Sequence, residues 1–138
     1  MDVATQRNPV RLLAGALLVV VGLGRGLGGL AMVFAGSGVL GVAAADAVIR
    51  IAGVVAFVLS GCVFVAGVLL VRGGRQYAFG AATVILLFLD GVWNGWLLFG
   101  VPRLRGQLAN GVVLVIILGL LVVAARGRDR ASGRADAG

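Results

Sequence analysis

Four long apolar stretches, separated by glycine-rich or arginine-bearing breaks, make up most of this 138-residue chain. At about 1.5 Å of rise per residue, a hydrocarbon core of ~30 Å needs about 20 apolar residues in a helix. The stretches at about 12–34, 48–71, 77–98 and 109–125 approach or exceed that length, so the pattern predicts four transmembrane helices. Between them lie Ala35–Ala47, which is small and glycine-rich, the basic turn Arg72–Arg75, and a break at Phe99–Leu108 holding Pro102, Arg103 and Arg105. Tyr77 stands at one end of the third span and Trp93 and Trp96 near the other, as interfacial aromatic belts require. The expected architecture is an all-α, integral membrane four-helix bundle. It is one transmembrane domain, 12–125, preceded by a short polar arm, 1–11, and followed by a disordered arginine-rich tail, 126–138.

Composition agrees: 61% of residues are hydrophobic and 12% charged, against roughly 25% charged in soluble domains. The charged residues are twelve arginines and five aspartates, with no lysine, glutamate or histidine. A net charge of +7 in a soluble protein would suggest nucleic acid. Here the arginines flank apolar spans, where threading and attraction to anionic lipid headgroups account for them, so no nucleic-acid partner is expected. Arg7, Arg11, Arg72, Arg75, Arg126, Arg128, Arg130 and Arg134 fall on one side of the threaded chain, and Arg50, Arg103 and Arg105 on the other. Basic segments resist translocation, so both termini are expected in the cytoplasm and the chain in the cytoplasmic (inner) membrane. Arg7 and Arg11 before Leu12–Leu23 also fit a cleaved signal peptide, but apolar character resumes after Arg25.

Two spans carry a lone charge. Arg25 lies thirteen residues after Leu12 and Asp90 thirteen after Tyr77, and the two spans run the same way, so both sit ~20 Å from the cytoplasmic boundary. Thr83, Leu87, Asp90 and Asn94 share one helical stripe, and Gly22, Arg25 and Gly29 share another. Gln107 and Asn110 of the fourth span reach a similar depth from the outer side. The expectation is a polar layer in the outer half of the bilayer, with candidate residues Arg25, Asp90, Asn94, Trp93 and Asn110. It serves either as a buried ion pair that fixes helix register or as a site in which Arg25 holds an anionic or carbonyl group, Asp90 and Asn94 orient it, and Trp93 forms a wall. Gly22/Gly26, Gly24/Gly28 and Gly91/Gly95 are i, i+4 pairs that would admit a neighbouring backbone. The six glycines of the first span also make it prone to a kink that could open room beside Arg25.

Several chemistries are excluded by residue type. Without histidine there is no bis-His haem, His-ligated metal or Ser-His dyad, and without lysine no Schiff base. A single cysteine, Cys62, makes no CxxC centre. The spacing of Gly24, Gly26 and Gly29 imitates a dinucleotide fingerprint but lies in a membrane span with no preceding strand. Neither catalysis, metal nor cofactor is expected. In size and span count the chain resembles the small multidrug-resistance transporters and the dual-topology fluoride channels. The first family depends on a first-span carboxylate where this chain has Arg25, and the arginine bias opposes dual topology, so no residue role carries over. The expected function is that of an accessory or scaffold subunit, packing within the bilayer against copies of itself or a larger membrane complex. Its alternatives are an oligomeric small-solute carrier or channel using the Arg25/Asp90 site, or a lipid or quinone binder.

Overall fold

A computed structural model describes residues 8–40, 44–100 and 104–135. It contains four helices: α1 (Pro9–Leu40), α2 (Asp46–Val71), α3 (Tyr77–Phe99) and α4 (Leu104–Ala135). Membrane-length apolar segments of 28, 26, 23 and 24 residues occupy Pro9–Gly36, Asp46–Val71, Tyr77–Phe99 and Leu104–Gly127. The chain is thus an all-α, multi-pass membrane protein, as its hydropathy pattern predicts.

Local chemistry sets the helix ends. Asn8 caps α1, its Oδ1 accepting from the Val10 amide at 3.1 Å, and Pro9 fills the first helical position, where its missing N–H costs nothing. The end of α2 is a Schellman motif: the Gly74 amide donates to Leu69 O at 2.7 Å and the Gly73 amide to Leu70 O at 3.2 Å, with Gly73 at φ 101°. Gly100, at φ 67°, closes α3 by donating to Trp96 O at 2.9 Å. Inside α1 the helical path breaks at Gly36 (φ 64°), not beside Arg25 where a kink was expected.

Consecutive helices are antiparallel neighbours, α4 returns beside α1, and the α1–α2 contact is by far the most extensive. Its basis is a seven-residue repeat of small residues running in opposite directions on the two helices. Gly15 faces Gly67, Gly22 faces Ser60, and Gly29 faces Gly53. A methyl group built on Gly29 would lie 2.8 Å from both Gly53 O and Phe57 N; one on Gly67 would lie 2.7 Å from Gly15 O. The two backbones therefore touch where side chains would normally separate them. One further step of seven brings the Asp46 carboxylate over Gly36, its Oδ1 3.2 Å from a Cβ there. Ser60, the one non-glycine at the centre of the repeat, is buried and donates its hydroxyl to Ala56 O at 2.6 Å, so its polarity is satisfied within its own helix.

Toward the end of the bundle that holds the start of α1, the four helices enclose a dry core of Ala14, Leu18, Val63, Leu70, Val84, Leu87, Ile117 and Leu121. Asn8 approaches Gly127 here and Arg11 approaches Gly73, so the start of α1, the α2–α3 turn and the far part of α4 share one end of the bundle. Arg7, Pro102 and Arg103 lie outside the described residues. α4 departs from expectation at both ends. It starts at Leu104, five residues before the predicted span, because Gly100 has already ended α3 and Arg105, Gln107 and Asn110 are tolerated near a membrane surface. It also continues to Ala135 as a helix where a disordered tail was expected; alanine and arginine are strong helix formers, and arginine suits a helix C-terminus.

The zipper makes a position-specific prediction. Gly53→Ala puts a methyl 2.7 Å from Gly29 O and should cost about 1–3 kcal/mol through forced separation of α1 and α2. Gly61→Ala, on the same helix but facing open space, should be neutral or stabilising by up to about 1 kcal/mol. Thermal unfolding in detergent, followed by circular dichroism, compares them; equal losses would contradict the zipper.

Candidate functional site

Arg25 owes its direction to the zipper. It lies three residues beyond Gly22 and four before Gly29, so when those glycines are pressed on α2, Arg25 projects from the flank of α1 toward α3. There the guanidinium lies directly over Gly91, where any Cβ would collide with Nη2. The absent side chain at Gly91 is the recess that receives it. On α3, Asn94 stands one turn beyond Asp90 and donates from Nδ2 to Asp90 Oδ2 at 3.0 Å. Asn94 is 8% exposed, whereas Asp90 and Arg25 are half-buried.

Arg25, Asp90 and Asn94 line one cavity of about 240 Å³, together with Gly24, Gly28 and Gly91. Neither Gly24 nor Gly28 has a neighbour within 4 Å of its Cβ position. Their expected role as a backbone-packing pair is corrected accordingly: they make room rather than contact. Gly91 and Gly95 are likewise spaces for side chains, Gly91 for Arg25 and Gly95 for Gln107, whose Nε2 lies 3.4 Å from its Cβ position. That Nε2 is buried without a hydrogen-bond partner among the described residues.

The two charges share this cavity without closing on each other. The Arg25 guanidinium lies over Gly91, the residue next to Asp90, yet among the described residues no salt bridge within 4.0 Å joins the two charges. Both side chains line the cavity, and the hydrogen bond from Asn94 occupies only part of the carboxylate's acceptor capacity. The other two candidate residues are adjacent, not inside. Asn110 lines a second cavity of about 280 Å³ that also touches Arg25, walled by Val84, Leu87 and Phe88. Trp93 is 66% exposed and lines a groove between α2 and α3 that also touches Asp90 and Asn94. Trp96, at 64% exposed, accompanies it on the bundle surface. Thr83, on the Asp90 stripe, spends its hydroxyl on its own helix, donating to Phe79 O at 2.9 Å and Gly80 O at 3.1 Å, and takes no part.

Residue pattern alone placed Arg25, Asp90 and Asn94 at one depth. It missed the glycines that shape their cavity, although Gly91 directly after Asp90 was a usable signal. Among the described residues no group of histidine, cysteine or acidic side chains could hold a metal ion. No family model, curated protein or solved structure matches the chain.

A double-mutant cycle measures the interaction between the two charges. Arg25→Gln and Asp90→Asn should each lower the thermal stability of the protein in lipid nanodiscs, since each leaves one charge without its opposite. The combined variant should lose less than the sum, with a coupling of about 0.5–3 kcal/mol. Strict additivity would show that the charges act independently.

Proposed function

We propose that this chain is a non-enzymatic protein of the cytoplasmic membrane that binds a small polar molecule at Arg25, Asp90 and Asn94, as the binding subunit of an oligomeric solute carrier. The observation that carries the reading is that the two charges line one cavity and that, among the described residues, no salt bridge within 4.0 Å joins them. A purely structural pair gains most when guanidinium and carboxylate meet directly, because each then replaces water lost on insertion. Here both charges line a cavity to which Gly24 and Gly28 contribute no side chain, and the guanidinium is seated on Gly91. A charged group inside a membrane is costly, and one left facing a cavity is matched by whatever enters it. The arginine distribution supports termini in the cytoplasm, an orientation in which the site opens in the outer half of the bilayer.

An accessory or scaffold role is the second reading. It is favoured by an open apolar groove of about 530 Å³ along α3 and α4, lined by Phe88, Leu104, Leu108, Val112 and Val115, which suits a lipid chain or a partner helix.

Filling the cavity distinguishes the two. Gly28→Leu introduces a side chain into the space beside Arg25 without meeting an existing atom at its Cβ. Mass spectrometry of small molecules extracted from protein purified in native lipid should find one that co-purifies with the wild type and is lost from Gly28→Leu and Asp90→Asn, while both variants keep the wild-type elution profile. Retention of every co-purifying molecule by both variants would contradict the binding-site reading.

A further inference from the structure

We infer that the ligand of this cavity is a zwitterion: a small molecule or headgroup carrying one oxyanion, carboxylate or phosphodiester, for Arg25 and one ammonium for Asp90 and Asn94. The inference rests on the binding-site reading above and adds the ligand's charge pattern. Arg25 and Asp90 sum to zero, and the amide side chains that line the cavities beside them, Asn94 and Asn110, are neutral. In a low-dielectric surrounding, an uncompensated charge is the most costly state the layer can adopt. A singly anionic ligand would satisfy Arg25 and leave a net negative layer with Asp90 facing an anion. A cationic ligand would do the reverse. A zwitterion supplies each protein charge with a partner of opposite sign and keeps the layer neutral.

Geometry sets the size and the orientation. The guanidinium is seated over Gly91 and the carboxylate is tied to Asn94 on the same helix, so the two poles are fixed by the protein before any ligand arrives. A volume of about 240 Å³ is below the ~300–1,000 Å³ of drug-sized sites, which limits the charged part to a few heavy atoms. Amino acids and the headgroup of an ethanolamine phospholipid both meet these requirements, one arriving from water and the other from the bilayer.

Matched probe pairs test the charge pattern on delipidated protein in a non-ionic detergent, with affinity read by native mass spectrometry. The pairs are phosphatidylethanolamine with phosphatidylglycerol, glycerophosphoethanolamine with glycerophosphoglycerol, and glycine with acetate. At least one zwitterion should bind about tenfold or more tightly than its anionic counterpart, and Asp90→Asn should erase that preference. Preference in the lipid pair alone identifies a headgroup; preference in a soluble pair identifies a free solute. If every anion binds as well as its zwitterion, with affinity still lost in Arg25→Gln, the zwitterion inference is overturned and the binding site stands. If no probe binds in an Arg25-dependent way, both are overturned. The wild-type comparison decides the matter even where a variant folds poorly.

Discussion

The contact between the α1 and α2 backbones governs the rest of this structure. In lipid there is no hydrophobic gain in bringing two apolar helices together, so association depends on dispersion forces and close fit, which small residues allow. The repeat Gly15, Gly22, Gly29 on α1 meets Gly67, Ser60, Gly53 on α2 at a spacing of seven, the spacing that keeps one stripe facing a partner over several turns. In this register Val19 lies against Gly67 and Phe57 against Gly29, each admitted by the side chain that the glycine lacks. Register and rotation are therefore set together, and with them the flank from which Arg25 leaves the helix.

From that contact follows an asymmetry between the two ends of the bundle. Near the start of α1, the helices close over leucine, valine and isoleucine and leave little for a polar group to do. Toward the other end, α3 turns Asp90, Gly91 and Asn94 to α1, and glycines replace the side chains that would otherwise fill the gap. The same residue type does opposite work in the two places. At Gly29 and Gly53 it removes a side chain so that backbones can meet; at Gly24, Gly28 and Gly91 it removes one so that a cavity and a guanidinium can exist. A tight hairpin beside a more loosely packed α3 and α4 places this space along the seam between two units.

Much of this was legible before any coordinates. Hydropathy located all four spans, because a membrane helix needs a long apolar run and little else resembles one. Equal spacing of Arg25 and Asp90 from their span starts put them at one depth, and i, i+4 spacing put Asn94 beside Asp90. Less legible was which glycines touch a helix. Pairs four apart, such as Gly24/Gly28, are conspicuous in a glycine-rich stretch, yet the stripe used is the one seven apart, and only the matching repeat at Gly53, Ser60 and Gly67 reveals it. Whether Arg25 and Asp90 touch was beyond reach, since it turns on the missing side chain at Gly91 and on ångström-scale helix separation. The end of α4 is not legible from hydropathy, because arginine and alanine sustain a helix well outside an apolar span.

Solid-state NMR of the protein in lipid bilayers, with 13C at glycine and serine, observes the governing contact itself. Cross-peaks between Gly15 and Gly67, Gly22 and Ser60, and Gly29 and Gly53 are predicted together, since one rigid register produces all three. Their absence, or a set displaced by one repeat in which Gly22 meets Gly67 and Gly29 meets Ser60, would contradict the account, because Arg25 would then leave α1 at a level that does not meet Gly91.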